Sequence, residues 1–193
     1  MVLLSAHKDV VKHPFKLSFN GDRYVGLLDN WIGMTAVNTL LTTEPAFAIM
    51  AARGLLSAFF GDTEEWGTIS GMPQMSPSDL VIVVDVCSGP PYRNLDFSLE
   101  NVWGLKKRRV EDLVDNLRWE GFRLRMTPYT GADEDEDEAF YWVKKKVPVL
   151  SFIIPIHENG RRGTGWHSED CWISLREFKT GVQGLKRLVN YVV

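Results

Sequence analysis

Only two cysteines, Cys87 and Cys171, occur in 193 residues. Two thiols are too few for the disulfide framework that small secreted domains use in place of a large core. No stretch approaches the ~20 consecutive apolar residues of a membrane-spanning helix. Neither sign of charge dominates: 22 Lys and Arg stand against 25 Asp and Glu, a net charge of -3, with a pI near 5.8. That balance lacks the basic footprint of a nucleic-acid partner. The opening Met1 to His7 is apolar for a few residues and has no basic n-region, so no secretory leader is expected and the default compartment is the cytoplasm. Internal repeats and Gly/Ser/Pro linkers are also missing, and the length fits one domain over residues 1–193. What is present is a hydrophobic fraction of 45%, enough for a sizeable core.

The apolar residues fall into short runs separated by helical patterns. Val2 to Ala6, Leu55 to Phe60, Leu80 to Val86 and Val149 to Ile154 read as buried strands, and Phe122 to Met126 as a further strand. Asn20-Gly21, set between Leu17-Ser18-Phe19 and Tyr24 to Leu27, signals a hairpin. A helix is expected from Asn30, with Ile32, Ala36, Val37, Leu40 and Leu41 at helical spacing, and Glu44-Pro45 stops it. Ala46 to Arg53, Arg109 to Glu120, Glu138 to Lys146 and Leu175 to Tyr191 are further helices. Arg109 to Glu120 is amphipathic, with Val110, Leu113, Val114 and Leu117 on one face, and Gly121 ends it. Strands alternating with helices predict an α/β fold: a three-layer α/β/α arrangement around a mostly parallel, mixed sheet. The acidic run Asp133 to Glu138 reads as a solvated loop and helix N-terminus, or as an acidic lip attracting a cationic substrate end.

Metal-ligand residue types stand at the ends of the apolar runs, where open α/β sheets assemble their sites. His7 and Asp9 form His-x-Asp after Val2-Leu3-Leu4; the histidine can bind metal and the aspartate can orient it. Asp29 precedes Asn30 and a helix, and serves equally well as an N-cap. Glu64-Glu65 follows Leu55 to Phe60; adjacent acids point different ways, so one can bind metal while the other acts as base, although Gly61-Asp62-Thr63 also fits a solvated turn. Asp85 ends Val81-Ile82-Val83-Val84, a costly place for a carboxylate without a partner. His167 lies in the loop Gly163 to Asp170. His157 reads as a surface loop residue, with a substrate contact as the alternative; His13 reads as surface, and Arg161 and Arg162 as solvated loop charges or as a bidentate hold on a substrate carboxylate. Cys87 and Cys171 read as buried free thiols, with a disulfide as the alternative, and Trp31, Trp66 and Trp166 as pocket walls or core.

In this order the pieces Ser5-Ala6-His7-Lys8-Asp9, Leu28-Asp29-Asn30-Trp31-Ile32-Gly33, Phe59 to Gly67, Val83-Val84-Asp85 and Trp166 to Asp170 resemble the co-catalytic zinc exopeptidases. These are the zinc aminopeptidases, with the deblocking aminopeptidases and the aminoacylase–carboxypeptidase branch as relatives. The resemblance implies two zinc ions per chain, with Co2+ or Mn2+ as substitutes. It places His7 and Asp85 on one ion, Glu65 and His167 on the other, and Asp29 between them. Glu64 would be the general base and later proton donor, and Asp9 would support His7. The implied activity is an aminopeptidase acting on small peptides. An amidohydrolase or carboxypeptidase of the same superfamily, acting on a peptide or N-acyl amino acid, is the first alternative, and a non-catalytic metal-stabilised binding subunit the second. Members usually have a helix and strands before the His-x-Asp strand. Here that strand begins at residue 2, so a bare sheet edge, and with it a homo-oligomer, is expected. The inserted lid is absent, and Gly131-Ala132-Asp133-Glu134 stands where members carry a Ser-Asp-His-like segment.

Overall fold

A computed structural model describes residues 1–7, 17–29, 31–61, 72–131, 138–158 and 170–193. Among them a six-stranded sheet forms the centre. Its strands are β1 (Val2–His7), β4 (Leu56–Gly61), β5 (Leu80–Cys87), β6 (Phe97–Trp103), β7 (Leu124–Pro128) and β8 (Val149–Pro155), in the order β4-β1-β5-β8-β6-β7. The first four in that order run parallel. β6 pairs antiparallel with β8 and parallel with β7. The carboxyl ends of β4, β1, β5 and β8 therefore share one edge with the amino ends of β6 and β7. A smaller sheet joins β2 (Leu17–Phe19), β3 (Arg23–Gly26) and β9 (Trp172–Ser174).

The alternation of strand side chains divides the core into two faces. Val2, Leu4 and Ala6, with Ile82, Val84 and Phe152, point to the larger core. There they meet the buried faces of α1 (Trp31–Thr43), α3 (Lys107–Trp119) and α5 (Leu175–Val192), while α2 (Pro45–Ala52) adds Phe47. Leu3, Val81, Val83 and Val149 point the other way and pack against Ala139 and Trp142 of α4 (Ala139–Lys144). The sheet thus lies between helical layers, the three-layer α/β/α mixed arrangement. None of the helices among the described residues is long and apolar enough to cross a membrane.

Local sequence explains the elements that hold the site. In α5, the hydroxyl of Ser174 accepts from the Glu177 N–H at 3.2 Å and the Glu177 carboxylate accepts from the Ser174 N–H at 2.9 Å, a complete capping box. Asn20-Gly21 makes the turn between β2 and β3, with Gly21 at φ +94°. Gly33 allows α1 to lie directly on the sheet: a Cβ there would stand 2.3 Å from the Val84 carbonyl oxygen.

Three features differ from the sequence reading. Phe97–Trp103 is a strand, although its pattern is broken by a register shift between Leu99 and Val102 and by Asn101 at φ +51°. Such an irregularity interrupts the two-residue period by which strands are recognised. Among the described residues β4 is an edge strand paired with β1 alone, and it is half-exposed from Ser57 to Phe60. Trp172–Ser174, between the loop Gly163 to Asp170 and the helix from Leu175, is a strand that pairs with β3.

Candidate metal centre

His7 closes β1, and Asp85 stands two residues before the end of β5. Val2↔Leu80 through Ser5↔Val83 sets the register of the two strands, and two further residues bring His7 beside Asp85. Both side chains emerge on the face that carries Leu3, Val81 and Val83. Asp29 reaches them from the start of α1, where its carbonyl accepts the Ile32 N–H at 3.1 Å. The close contact of Gly33 with Val84 holds this end of α1 against β5, one residue from Asp85.

The three side chains converge. His7 Nε2 lies 3.4 Å from Asp85 Oδ1 and 3.6 Å from Asp29 Oδ1. One potential ligand atom from each lies within 4.8 Å of the other two. Donors bound at ~2.0–2.1 Å around a tetrahedral ion stand about 3.3–3.4 Å from one another. The His7 spacings match that edge, so the residues fit a divalent ion held by imidazole and carboxylate. His7 and Asp29 are buried, whereas Asp85 is open to solvent on one side. The Val86 N–H donates to Asp85 Oδ1 at 2.7 Å and helps orient that carboxylate.

The other candidates divide into two groups. Asp9, Glu64, Glu65 and His167, with Trp66, Trp166, His13, Arg161 and Arg162, lie outside the described residues. The remaining ones are placed. His157 forms an isolated bridge with Trp172, stacks on that indole at 3.9 Å between centroids, and sets Nε2 2.7 Å from Glu177 Oε1. Trp31 packs among Tyr24 and Phe178 beside the larger core. Cys171 is buried and Cys87 half-buried, and the two do not form a disulfide. Burial pushes the Cys87 thiol above its ordinary value, so it is protonated at neutral pH. The end of the acidic run is not solvated: Glu138 is buried and accepts hydrogen bonds from the Ser5 hydroxyl and, at 3.3 Å, from Trp142 Nε1.

Two clusters went unread in the sequence. Glu100 accepts from Ser98, Tyr92 and Arg125 on the same sheet face as His7. Beside it, a cavity of about 810 Å³ opens on the carboxyl edge, bounded by Pro155 to Glu158, Arg93, Asp96, Arg123 and the first turn of α5. Its lining comes from four distant segments, and no local pattern announces that meeting.

No protein-family model and no curated protein matches this sequence. Solved structures do. The TET1 peptidase of Pyrococcus horikoshii, which can assemble into a tetrahedron or a large octahedral shell, matches with a TM-score of 0.56 and 16% identity over 91% of this chain and 52% of its own. An aminopeptidase from the archaeon Desulfurococcus kamchatkensis gives 0.57 and 12% over 91% and 51%. Yeast aminopeptidase 1 gives 0.55 and 12% over 92% and 48%. The chain spans about half the length of these proteins. It shares the fold of the TET-type aminopeptidases, the architecture that the ordered segments around His7, Asp29 and Asp85 resemble.

Proposed function

We propose that this protein is a metal-dependent hydrolase, a dinuclear zinc aminopeptidase that removes N-terminal residues from small peptides, with 1–193 as one catalytic domain. The observation that carries the reading is the convergence of His7, Asp29 and Asp85 at the carboxyl edge of the sheet. The shared fold with aminopeptidase structures supports it. In this reading His7 and Asp85 hold one ion, Glu65 and His167 the other, and Asp29 lies between the two; Co2+ or Mn2+ can replace zinc.

When bound, the metal supplies Lewis acidity, lowering the pKa of a water toward ~7 and polarising the scissile carbonyl. The chain supplies the rest. Glu64 takes the proton from the attacking water and returns it to the departing amine. Asp9 fixes the ring of His7. The half-open side of Asp85 is the side from which substrate approaches. The edge strand β4 offers a surface for pairing with a second copy. Glu64→Gln tests the chemistry: metal content should stay at the wild-type level while cleavage of leucyl p-nitroanilide falls by at least ~100-fold. Wild-type turnover in that variant would remove Glu64 from its role.

A further inference from the structure

The arginine-lined cavity shares the carboxyl edge with the metal centre. Cys87, two residues after Asp85, pairs with Pro155, and the cavity wall begins at Pro155 and at Gly89. β8 lies two strands from β1, about 10 Å away at ~4.8 Å per strand. A tri- or tetrapeptide in extended form covers that distance at ~3.3–3.6 Å per residue.

The charges in the cavity are unevenly committed. Each of its three carboxylates has partners. Asp96 accepts from the Arg123 N–H at 2.8 Å and from Arg123 Nη2 at 2.7 Å. Glu158 accepts from the Ser88 hydroxyl. Glu177 accepts from Ser174 Oγ at 2.6 Å and from the Ser174 N–H at 2.9 Å, and pairs with His157. Of the three arginines, Arg123 is bound to Asp96, whereas Arg93 and Arg176 have no carboxylate partner among the described residues. Two arginines with no carboxylate partner among the described residues therefore line one cavity. A guanidinium matches a carboxylate in bidentate geometry.

We infer that this cavity is a carboxylate subsite in which Arg93 and Arg176 hold the free carboxylate of a short peptide substrate. The inference rests on the hydrolase reading for the word substrate, and on the cavity alone for the carboxylate. It makes the protein selective for peptides of a few residues, because the carboxylate must reach the arginines while the scissile bond lies at the metal centre.

Binding and cleavage separate the two parts. Acetyl-triglycine and its C-terminal amide, neither with a free amine, are titrated into the intact chain by calorimetry. The acid should bind at least ~10-fold tighter than the amide, as expected for charge-assisted hydrogen bonds. Arg93→Gln and Arg176→Gln should each erode that preference and together erase it, with unchanged thermal midpoints because both side chains are exposed. Equal binding of acid and amide, or an undiminished preference in the double variant, would overturn the subsite. Acetyl-Gly-Asp-Gly-amide identifies the source: binding as tight as the acid assigns the subsite to an acidic side chain, against the terminal carboxylate. A retained preference without cleavage of Leu-Gly-Gly by the zinc-loaded protein would leave the carboxylate pocket standing and sink the hydrolase reading.

Discussion

The two faces of the central sheet follow different rules. On the face covered by α1, α3 and α5, every buried strand residue is apolar: Val2, Leu4 and Ala6 on β1, Leu80, Ile82, Val84 and Val86 on β5, Leu150, Phe152 and Ile154 on β8. On the opposite face of β1 and β5, apolar residues hold the amino half of each strand, and polar ones take over toward its carboxyl end. Leu3 gives way to Ser5 and His7, and Val81 and Val83 to Asp85. Ser151 and Glu100 continue the row of Ser5 across the sheet. The first face spends its burial on stability, roughly 25 cal/mol for each Å² of apolar surface removed from water. The second accepts the cost of buried polar groups, which persists only where partners or a ligand offset it. The candidate metal centre stands where one face of β1 and β5 changes from apolar to polar while its reverse does not.

Substitutions on each face should separate these roles. The largest effect is expected at the site. His7→Ala should abolish tight metal retention and lower hydrolysis by at least ~100-fold, since even residues that merely orient a metal ligand cost 10–100-fold. The fold should survive, because the larger core is untouched; elemental analysis with circular dichroism checks both. On the apolar face, Gly33→Ala should destabilise the protein by about 2–3 kcal/mol, because its Cβ would overlap a backbone oxygen that cannot move without β5. Metal affinity should weaken with it, as Asp29 and Asp85 are held together by that contact; urea denaturation and metal titration of the variant read the two. Ser5→Ala should cost about 1–2 kcal/mol by depriving buried Glu138 of a donor. An unchanged urea midpoint there would mean that the carboxylate finds another partner.

The smallest effect lies outside both faces, at Glu177. Burial raises its pKa, but hydrogen bonds from Ser174 and His157 outweigh burial and leave it below the ordinary glutamate value. A depressed folded-state pKa contributes stability that is present above the unfolded value and is lost as pH falls through the folded one. Glu177→Gln should therefore lower stability at pH 6 by less than about 1 kcal/mol, since the pair is half-exposed. The difference from wild type should shrink as the pH falls below the ordinary glutamate range.

The sequence made the apolar face legible because its strands are near-continuous hydrophobic runs and its helices keep the 3.6-residue period. Val110, Leu113, Val114 and Leu117 are buried as the spacing predicts. The expected extents of the long runs agree with β1, β5 and β8 to within a residue. β6 escaped because Asn101 and its bulge break the alternation, and β9 because three residues hold no period. For the site, His7, Asp29 and Asp85 were legible because each ends an apolar run, and strand ends converge in a parallel sheet. The contact of Gly33 with Val84, the burial of Glu138 and the cavity that Arg93 and Arg176 both line were not. Each depends on tertiary approach between segments far apart in the chain, which local composition does not encode.

The central claim is that the polar end of one sheet face is a metal centre. Metal content per chain, measured by elemental analysis after zinc loading and gel filtration, tests it most directly. The account predicts about two zinc ions per wild-type chain, as a dinuclear hydrolytic site requires, with clear loss in His7→Ala. Protein that retains no metal after loading, or retains as much without His7, would contradict it.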